Sequence, residues 1–198
     1  MDTKKITGHL ILFMAPMGSG KSVLVQHVKA GYPEVYFSVS CTTRTMRPGE
    51  TDGVEYHFID RDTFMQRVEA GDFLEWAEFG GNLYGTLKSE VVGRLESGQV
   101  VLNEIELQGI ELLKPLIPEA NRTIVYIDAG GWEVLKRRAL GRAPMTDEEL
   151  ALRHERFVHE AKAKPLADVI VSNTDGALDD AKGAIDTLIE QVFEKVNS

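Results

Sequence analysis

The stretch Ala15-Pro16-Met17-Gly18-Ser19-Gly20-Lys21-Ser22 sets two glycines, a lysine and a hydroxyl side by side. A glycine-rich turn of this kind presents successive backbone N–H groups, and a helix starting at its end adds the positive end of its dipole. That combination suits the phosphates of a nucleoside triphosphate. In it Lys21 reaches the β- and γ-phosphates, and the Ser22 hydroxyl ligates the accompanying Mg²⁺. Gly18 and Gly20 admit backbone angles and close approach that a side chain would block. Ala15 stands where glycine is usual, so the turn there needs a conformation that alanine can adopt. The loop alone names no phosphate acceptor.

A second group lies further along. Ser40, Thr42, Thr43, Arg44 and Arg47 fall within eight positions, and Tyr56 follows. Guanidinium forks pair bidentately with phosphate oxygens, and serine and tyrosine hydroxyls complete a cage, so this cluster suits a phosphate monoester. Basic residues recur at Lys136, Arg137, Arg138 and Arg142. They could approach a phosphate or serve only as a basic helix end, which the helix dipole favours. Arg153 falls in a helical stretch whose Leu150, Leu152 and Phe157 are expected to face inward. His154 and His159 have no carboxylate or cysteine at metal-ligand spacing.

These groups need elements to hold them. His9–Met14 reads as a buried strand, and residues 20–30 as a helix with Val23, Leu24, His27 and Val28 on one face. A short strand is expected over Tyr36–Ser40 and another over Tyr56–Ile59. A helix over Arg61–Ala70 follows, N-capped by Asp60. Phe73–Phe79 and Leu83–Thr86 read as a hairpin around Gly80-Gly81-Asn82. After a helix at about 88–97, the run Val100–Glu106 is a buried strand with its acidic residues at the C-terminal end, where ligands sit in open α/β sheets. Thr123–Asp128 and Val169–Ser172 are further strands. The helices expected between and after them lie at about 132–140, 147–163 and 177–195. Strands and helices alternate at the start and after residue 99, as in a parallel sheet covered on both faces. The middle is richer in short strands and turns and reads as an inserted lobe.

Composition narrows the classes. The 198 residues carry 22 basic and 31 acidic side chains, a net charge of −9. That balance argues against a general nucleic-acid or anionic-membrane binder and requires arginines to be concentrated locally around any phosphate. The one cysteine, Cys41, excludes an internal disulfide framework and suits a reducing cytoplasm. Met1–Gly8 lacks the apolar region of a signal peptide, and no run is long enough to span a membrane.

The sequence resembles guanylate kinase, a P-loop nucleoside monophosphate kinase. The likeness is carried by Thr42-Thr43-Arg44, Arg47, Gly49-Glu50, Gly53, Tyr56 and Phe58 in the middle stretch. It continues through Phe73-Leu74-Glu75-Trp76-Ala77 and Gly81-Asn82-Leu83-Tyr84-Gly85-Thr86, and then through Glu104-Ile105-Glu106-Leu107-Gln108-Gly109. It closes on Arg138, Gly141-Arg142 and Arg153. It runs from about residue 9 to 190, and so long a set of ordered motifs is far more specific than the loop alone. The resemblance implies one domain with a three-layer α/β/α core (1–38, 98–135 and 164–198), a mixed α+β GMP-binding lobe (39–97) and a helical lid (136–163). It implies transfer of phosphate from ATP to GMP, and to dGMP, in purine nucleotide metabolism and GMP recycling, with Mg²⁺ as cofactor. Small-molecule substrates are the partners it implies. Monomer and homo-oligomer both stay open.

The same resemblance assigns residues. Ala15 to Ser22 and Asn173 would hold ATP. Ser40, Arg44, Arg47, Tyr56 and Tyr84 would hold the GMP phosphate, and Glu75, Thr86 and Glu106 would read the base. Lys21, Arg138, Arg142 and Arg153 would approach the transferring phosphoryl group. Glu104 and Glu106 stand where an Asp-Ile-Asp pattern is commoner. Register assigns Glu106 to the base and Glu104 to the outer shell of the metal. Met17 and Met46 replace a usual serine and proline, and Ser172-Asn173-Thr174-Asp175 carries one extra residue. Two other classes compete with this reading. One is a binding module like the guanylate-kinase-like domains of scaffolds, against which Lys21, Ser22 and Arg138 argue. The other is a related kinase with a different acceptor, against which Glu75 and Thr86 argue.

Overall fold

The run His9-Leu10-Ile11-Leu12-Phe13-Met14 forms a strand buried along its whole length, β1 (His9–Met14). The computed structural model describes residues 5–105 and 107–198. After β1 come α1 (Lys21–Gly31), β2 (Tyr36–Phe37), β3 (Cys41–Thr42), β4 (His57–Phe58), α2 (Arg61–Glu69), β5 (Phe73–Phe79), β6 (Asn82–Leu87) and α3 (Lys88–Glu96). The chain continues with β7 (Val100–Glu104), α4 (Leu107–Leu113), β8 (Arg122–Asp128), α5 (Trp132–Leu140), α6 (Asp147–Ala161), β9 (Val169–Ser172) and α7 (Leu178–Val196). The chain divides into two compact units, Met1–Leu10 with Tyr36–Arg122, and Ile11–Val35 with Thr123–Ser198.

In the first unit β2 pairs in parallel with β7, Tyr36 opposite Val101. A separate mixed sheet has the order β4-β3-β6-β5. Its antiparallel β5–β6 hairpin sets Glu75 directly opposite Thr86 and Ala77 opposite Tyr84, with a register shift between Phe73 and Glu75. Cys41, Phe64, Phe73, Leu83 and Leu87 form the core beneath this sheet, with Trp76 packed against them. The Phe64 and Phe73 rings stack at 4.3 Å. Asp60 caps α2 by accepting the Thr63 N–H at 2.7 Å, as the sequence predicts.

In the second unit β8 and β9 pair in parallel, Val125 to Asp128 opposite Val169 to Ser172. Helix α1 packs on α7, whose Ala181, Ile185, Leu188, Ile189 and Val192 face the core. Thr146 and Glu149 form a reciprocal capping box at the start of α6.

Several expectations need correction. The strand expected over Tyr36–Ser40 ends at Phe37. Ser38 still donates to the Leu102 carbonyl at 3.0 Å, but three residues later Cys41 has joined the other sheet opposite His57 and Gly85. The strand expected to reach Glu106 ends at Glu104. On α1 the buried face is Leu24, Val25 and Val28, while Val23 is 48% exposed. Leu152 is exposed on α6. At 100° per residue it lies about 140° around the helix from Phe157 and cannot share its face.

Phe64→Ala should empty the centre of the first unit's core and cost about 3–5 kcal/mol. Urea unfolding checks this; a loss under about 1 kcal/mol would mean that the cluster does not depend on the stacked pair.

Candidate functional site

The glycine-rich loop begins where β1 ends and stops where α1 begins. Gly20 precedes the helix in a left-handed conformation, φ +92°, and its carbonyl accepts the N–H groups of Val23 and Leu24. A Cβ at Gly20 would collide with the Asn173 side-chain amide. That amide is buried and donates to the Ser19 carbonyl at 2.7 Å, so Asn173 braces the loop from beneath. Among the described residues only glycines have positive φ, so Ala15 occupies its place without left-handed strain. Pro16 is buried and its carbonyl accepts the Ser19 N–H at 3.1 Å. Lys21 and Ser22 open α1, Lys21 half-buried and the Ser22 side chain exposed.

Arginines gather on this loop. Arg138 on α5 donates through Nη1 to the Gly18 and Ser19 carbonyls at 3.4 Å each, and through Nη2 to the Asn173 carbonyl at 2.8 Å. Asp175 accepts from both Arg137 and Arg138, and these bonds hold its carboxyl below the usual carboxylate range. Arg153 on α6 donates to the Met17 sulfur at 3.0 Å. The Met17 N–H donates to Glu160 Oε2 at 3.0 Å, and the buried Glu160 carboxylate also accepts from Arg156 Nε at 2.6 Å. A cavity of about 220 Å³ opens here, lined among others by Gly18, Trp132, Arg142, Arg153, Phe157 and Glu160.

In the first unit, Arg44 and Glu50 form a two-pronged ion pair with bonds of 3.0 and 2.8 Å. Arg44 also donates to the Thr45 carbonyl, and Glu50 accepts the Arg47 N–H at 2.7 Å. The fork raises the Arg44 pKa and holds the Glu50 carboxyl below its ordinary range. Its guanidinium carbon lies 5.5 Å from the ring centres of both Tyr56 and Phe58, and the Tyr56 ring meets Tyr84 edge-on at 6.0 Å. Arg44, Tyr56 and Tyr84 are thus neighbours, while the Arg47 side chain is exposed.

Glu75 lies deeper, 9% exposed. The Thr86 hydroxyl donates to its Oε1 at 2.7 Å, and Ser40 Oγ is 3.4 Å from that hydroxyl. On its other side Glu75 rests on α4: a Cβ at Gly109 would come within 2.6 Å of Oε2. The hydrogen at Gly109 therefore makes the room in which the carboxylate sits. Glu104 ends β7 with an exposed side chain. Glu106 lies outside the described residues. Among the described residues no three His, Cys, Asp or Glu side chains cluster to hold a metal ion.

One family model matches this sequence over most of its length. The guanylate kinase model covers residues 7–192. The chain belongs to the guanylate kinase family. The guanylate kinase of Thermobifida fusca is 43% identical over 165 residues, 83% of each chain. That of Pseudomonas fluorescens is 42% identical over 171 residues, 86% of this chain and 82% of its own. The crystal structure of guanylate kinase from Anaplasma phagocytophilum has the same fold, with a TM-score of 0.73 at 23% identity over 96% of this chain and 88% of that one.

The sequence reading gave no role to four groups of this candidate site: Asn103, Glu50, Glu160 and Asp175. Asn103 carries a signal, because a polar residue inside Val100-Val101-Leu102-Asn103 must find a bond once buried. The acidic three give no sign in sequence of the arginines they hold.

The Glu50 carboxyl, depressed by Arg44, contributes stability that is present above its unfolded pKa and lost as pH falls through the lower folded value. Between about pH 5 and pH 3 the urea midpoint should therefore fall less for Glu50→Gln than for the unaltered chain. Equal falls would show that the fork adds nothing to folding.

Proposed function

We propose that this chain transfers the γ-phosphoryl group of ATP to GMP and dGMP, giving ADP and the corresponding diphosphate. The observation that carries this reading is the buried Glu75 carboxylate held by the Thr86 hydroxyl. Guanine presents N1–H and a 2-amino group on one edge, and a carboxylate accepts from both. Adenine offers an acceptor at N1 and no 2-amino group, so it would leave the desolvated carboxylate unpaired. Sites built this way reject the wrong analogue by roughly 10⁴-fold or more. Glu106 is the second base-reading group in this proposal.

Arg44, Tyr56 and Tyr84, with Ser40 and Arg47, hold the acceptor phosphate. Three of the five Arg44 N–H groups are used by Glu50 and Thr45, which leaves the N–H on Nε and one on Nη2 for phosphate oxygens. On the donor side, the loop from Ala15 to Ser22 and Lys21 bind the triphosphate, with Asn173 setting the loop's shape. Arg138, Arg142 and Arg153 supply positive charge to the transferred group. Phosphoryl transfer depends on alignment and charge neutralisation rather than on a strong base, so no side chain is assigned as one.

Mg²⁺ bound to the nucleotide would neutralise phosphate charge. The donor set fits it: one exposed Ser22 hydroxyl beside the loop, oxygen ligands only, and no protein cage among the described residues, as is usual where substrate phosphates and water complete the shell. Glu104 would bear on the metal through water. No helix among the described residues is long and apolar enough to cross a membrane. We place the activity in the cytoplasm, in purine nucleotide recycling, without nucleic-acid or membrane partners.

An ADP-release assay with GMP, dGMP, AMP, IMP and UMP should show turnover with the guanine nucleotides. No turnover with any acceptor would sink the enzyme reading. Lys21→Ala should lower kcat by about 10²-fold or more. Glu75→Gln should raise KM for GMP and shrink the preference for GMP over IMP by roughly 10-fold or more, the worth of one charged hydrogen bond. Unchanged selectivity would remove Glu75 from base reading.

A further inference from the structure

Asn103 is 1% exposed on β7, after three buried apolar residues. A buried carboxamide is costly unless it is bonded. Its Nδ2 donates to Thr86 Oγ1 at 2.9 Å. Thr86, itself fully buried, donates to Glu75 Oε1 at 2.7 Å. We infer that Asn103 is a positioning residue for the acceptor base: it fixes the Thr86 hydroxyl as a donor to Glu75 and so sets how that carboxylate faces the base. This rests on the reading of Glu75 given above.

Proton counting fixes the direction. A hydroxyl has one hydrogen and two acceptor positions, an amide nitrogen only donates, and an ionised carboxylate only accepts. Asn103 fills one acceptor position on Thr86, so the single Thr86 hydrogen points to Glu75. Ser40 Oγ, at 3.4 Å, lies where its hydrogen can reach the second acceptor position. The chain of donors runs Asn103 to Thr86 to Glu75, and each bond polarises the next.

The geometry beyond Glu75 makes that direction matter. A Cβ at Gly109 would come within 2.6 Å of Oε2, so α4 closes off that side of the carboxylate, and the Thr86 hydroxyl donates to it at Oε1. The carboxylate is thereby bounded on one side by α4 and held on the other by β6. Reading guanine requires two acceptor oxygens in the plane of N1–H and the 2-amino group. A hydroxyl free to turn lets the carboxylate tilt, and a tilt weakens one of the two bonds. The effect therefore falls on acceptor binding and base choice.

The test is a double-mutant cycle on GMP kinetics. Asn103→Leu removes the donor at similar volume, and Thr86→Val removes the hydroxyl. Asn103→Leu should raise KM for GMP about tenfold, the worth of one lost hydrogen bond, and narrow the GMP-over-IMP preference, while KM for ATP stays within about twofold. The double variant should be no worse than Thr86→Val alone, because Asn103 acts only through that hydroxyl. Asn103→Asp keeps the shape and turns the donor into an acceptor, so it should raise KM for GMP as well. Additive losses in the cycle, or an unchanged KM for GMP in both Asn103 variants, would overturn the positioning role alone. An unaltered chain that does not turn over GMP would overturn both this role and the reading on which it rests.

Discussion

Glu75 is a carboxylate with 9% exposure, one strand position from the core residue Leu74. Taking such a charge out of water costs several kcal/mol unless fixed partners replace the lost solvation. The surroundings of Glu75 follow from that demand. Thr86 stands opposite it because the β5–β6 register puts it there, and Asn103 on β7 meets the hydroxyl from the other side. Position 109 carries no side chain, because a Cβ would strike the carboxylate. The register shift between Phe73 and Glu75 lets one strand send phenylalanine to the core and glutamate to the site.

The protein is acidic, yet the proposed chemistry is the handling of phosphate. Its carboxylates resolve the conflict by orienting guanidinium groups. Glu50 aims Arg44, Asp175 aims Arg138 across the loop carbonyls, and Glu160 joins Arg156 to the backbone of Met17. A guanidinium held at two or three points has less freedom left to lose when an anion arrives. The surplus of negative charge thus becomes a set of braces for the positive groups that matter.

What could be read from sequence was local. The strand, the glycine turn and the helix after it follow each other without a gap. The Asp60 cap and the β5–β6 hairpin are likewise written within a few residues. Pairings made across long separations were not legible. The passage from β2 to β3 looks like one strand because Ser38, Val39 and Ser40 suit an extended chain, and only their partners reveal two sheets. Glu160 gave no sign of its contact with Met17, 143 residues away. The phase errors at Val23 and Leu152 have another cause: apolar residues on both sides of a helix leave the buried face undecided until something packs against it. Asn103 offered a signal, a polar residue after three apolar ones, but that signal names no role.

Asn173 and Gly20 show how far such a pairing binds the chain's future. The amide fills the space a side chain at 20 would need, and it holds the carbonyl of the residue just before. Enlarging position 20 demands a smaller residue at 173, which would strip Ser19 of its partner. In evolutionary terms the two positions form a lock. Its two halves are unequal: residue 173 can shrink alone at the cost of the Ser19 bond, but a side chain at 20 would still meet the left-handed φ of +92°.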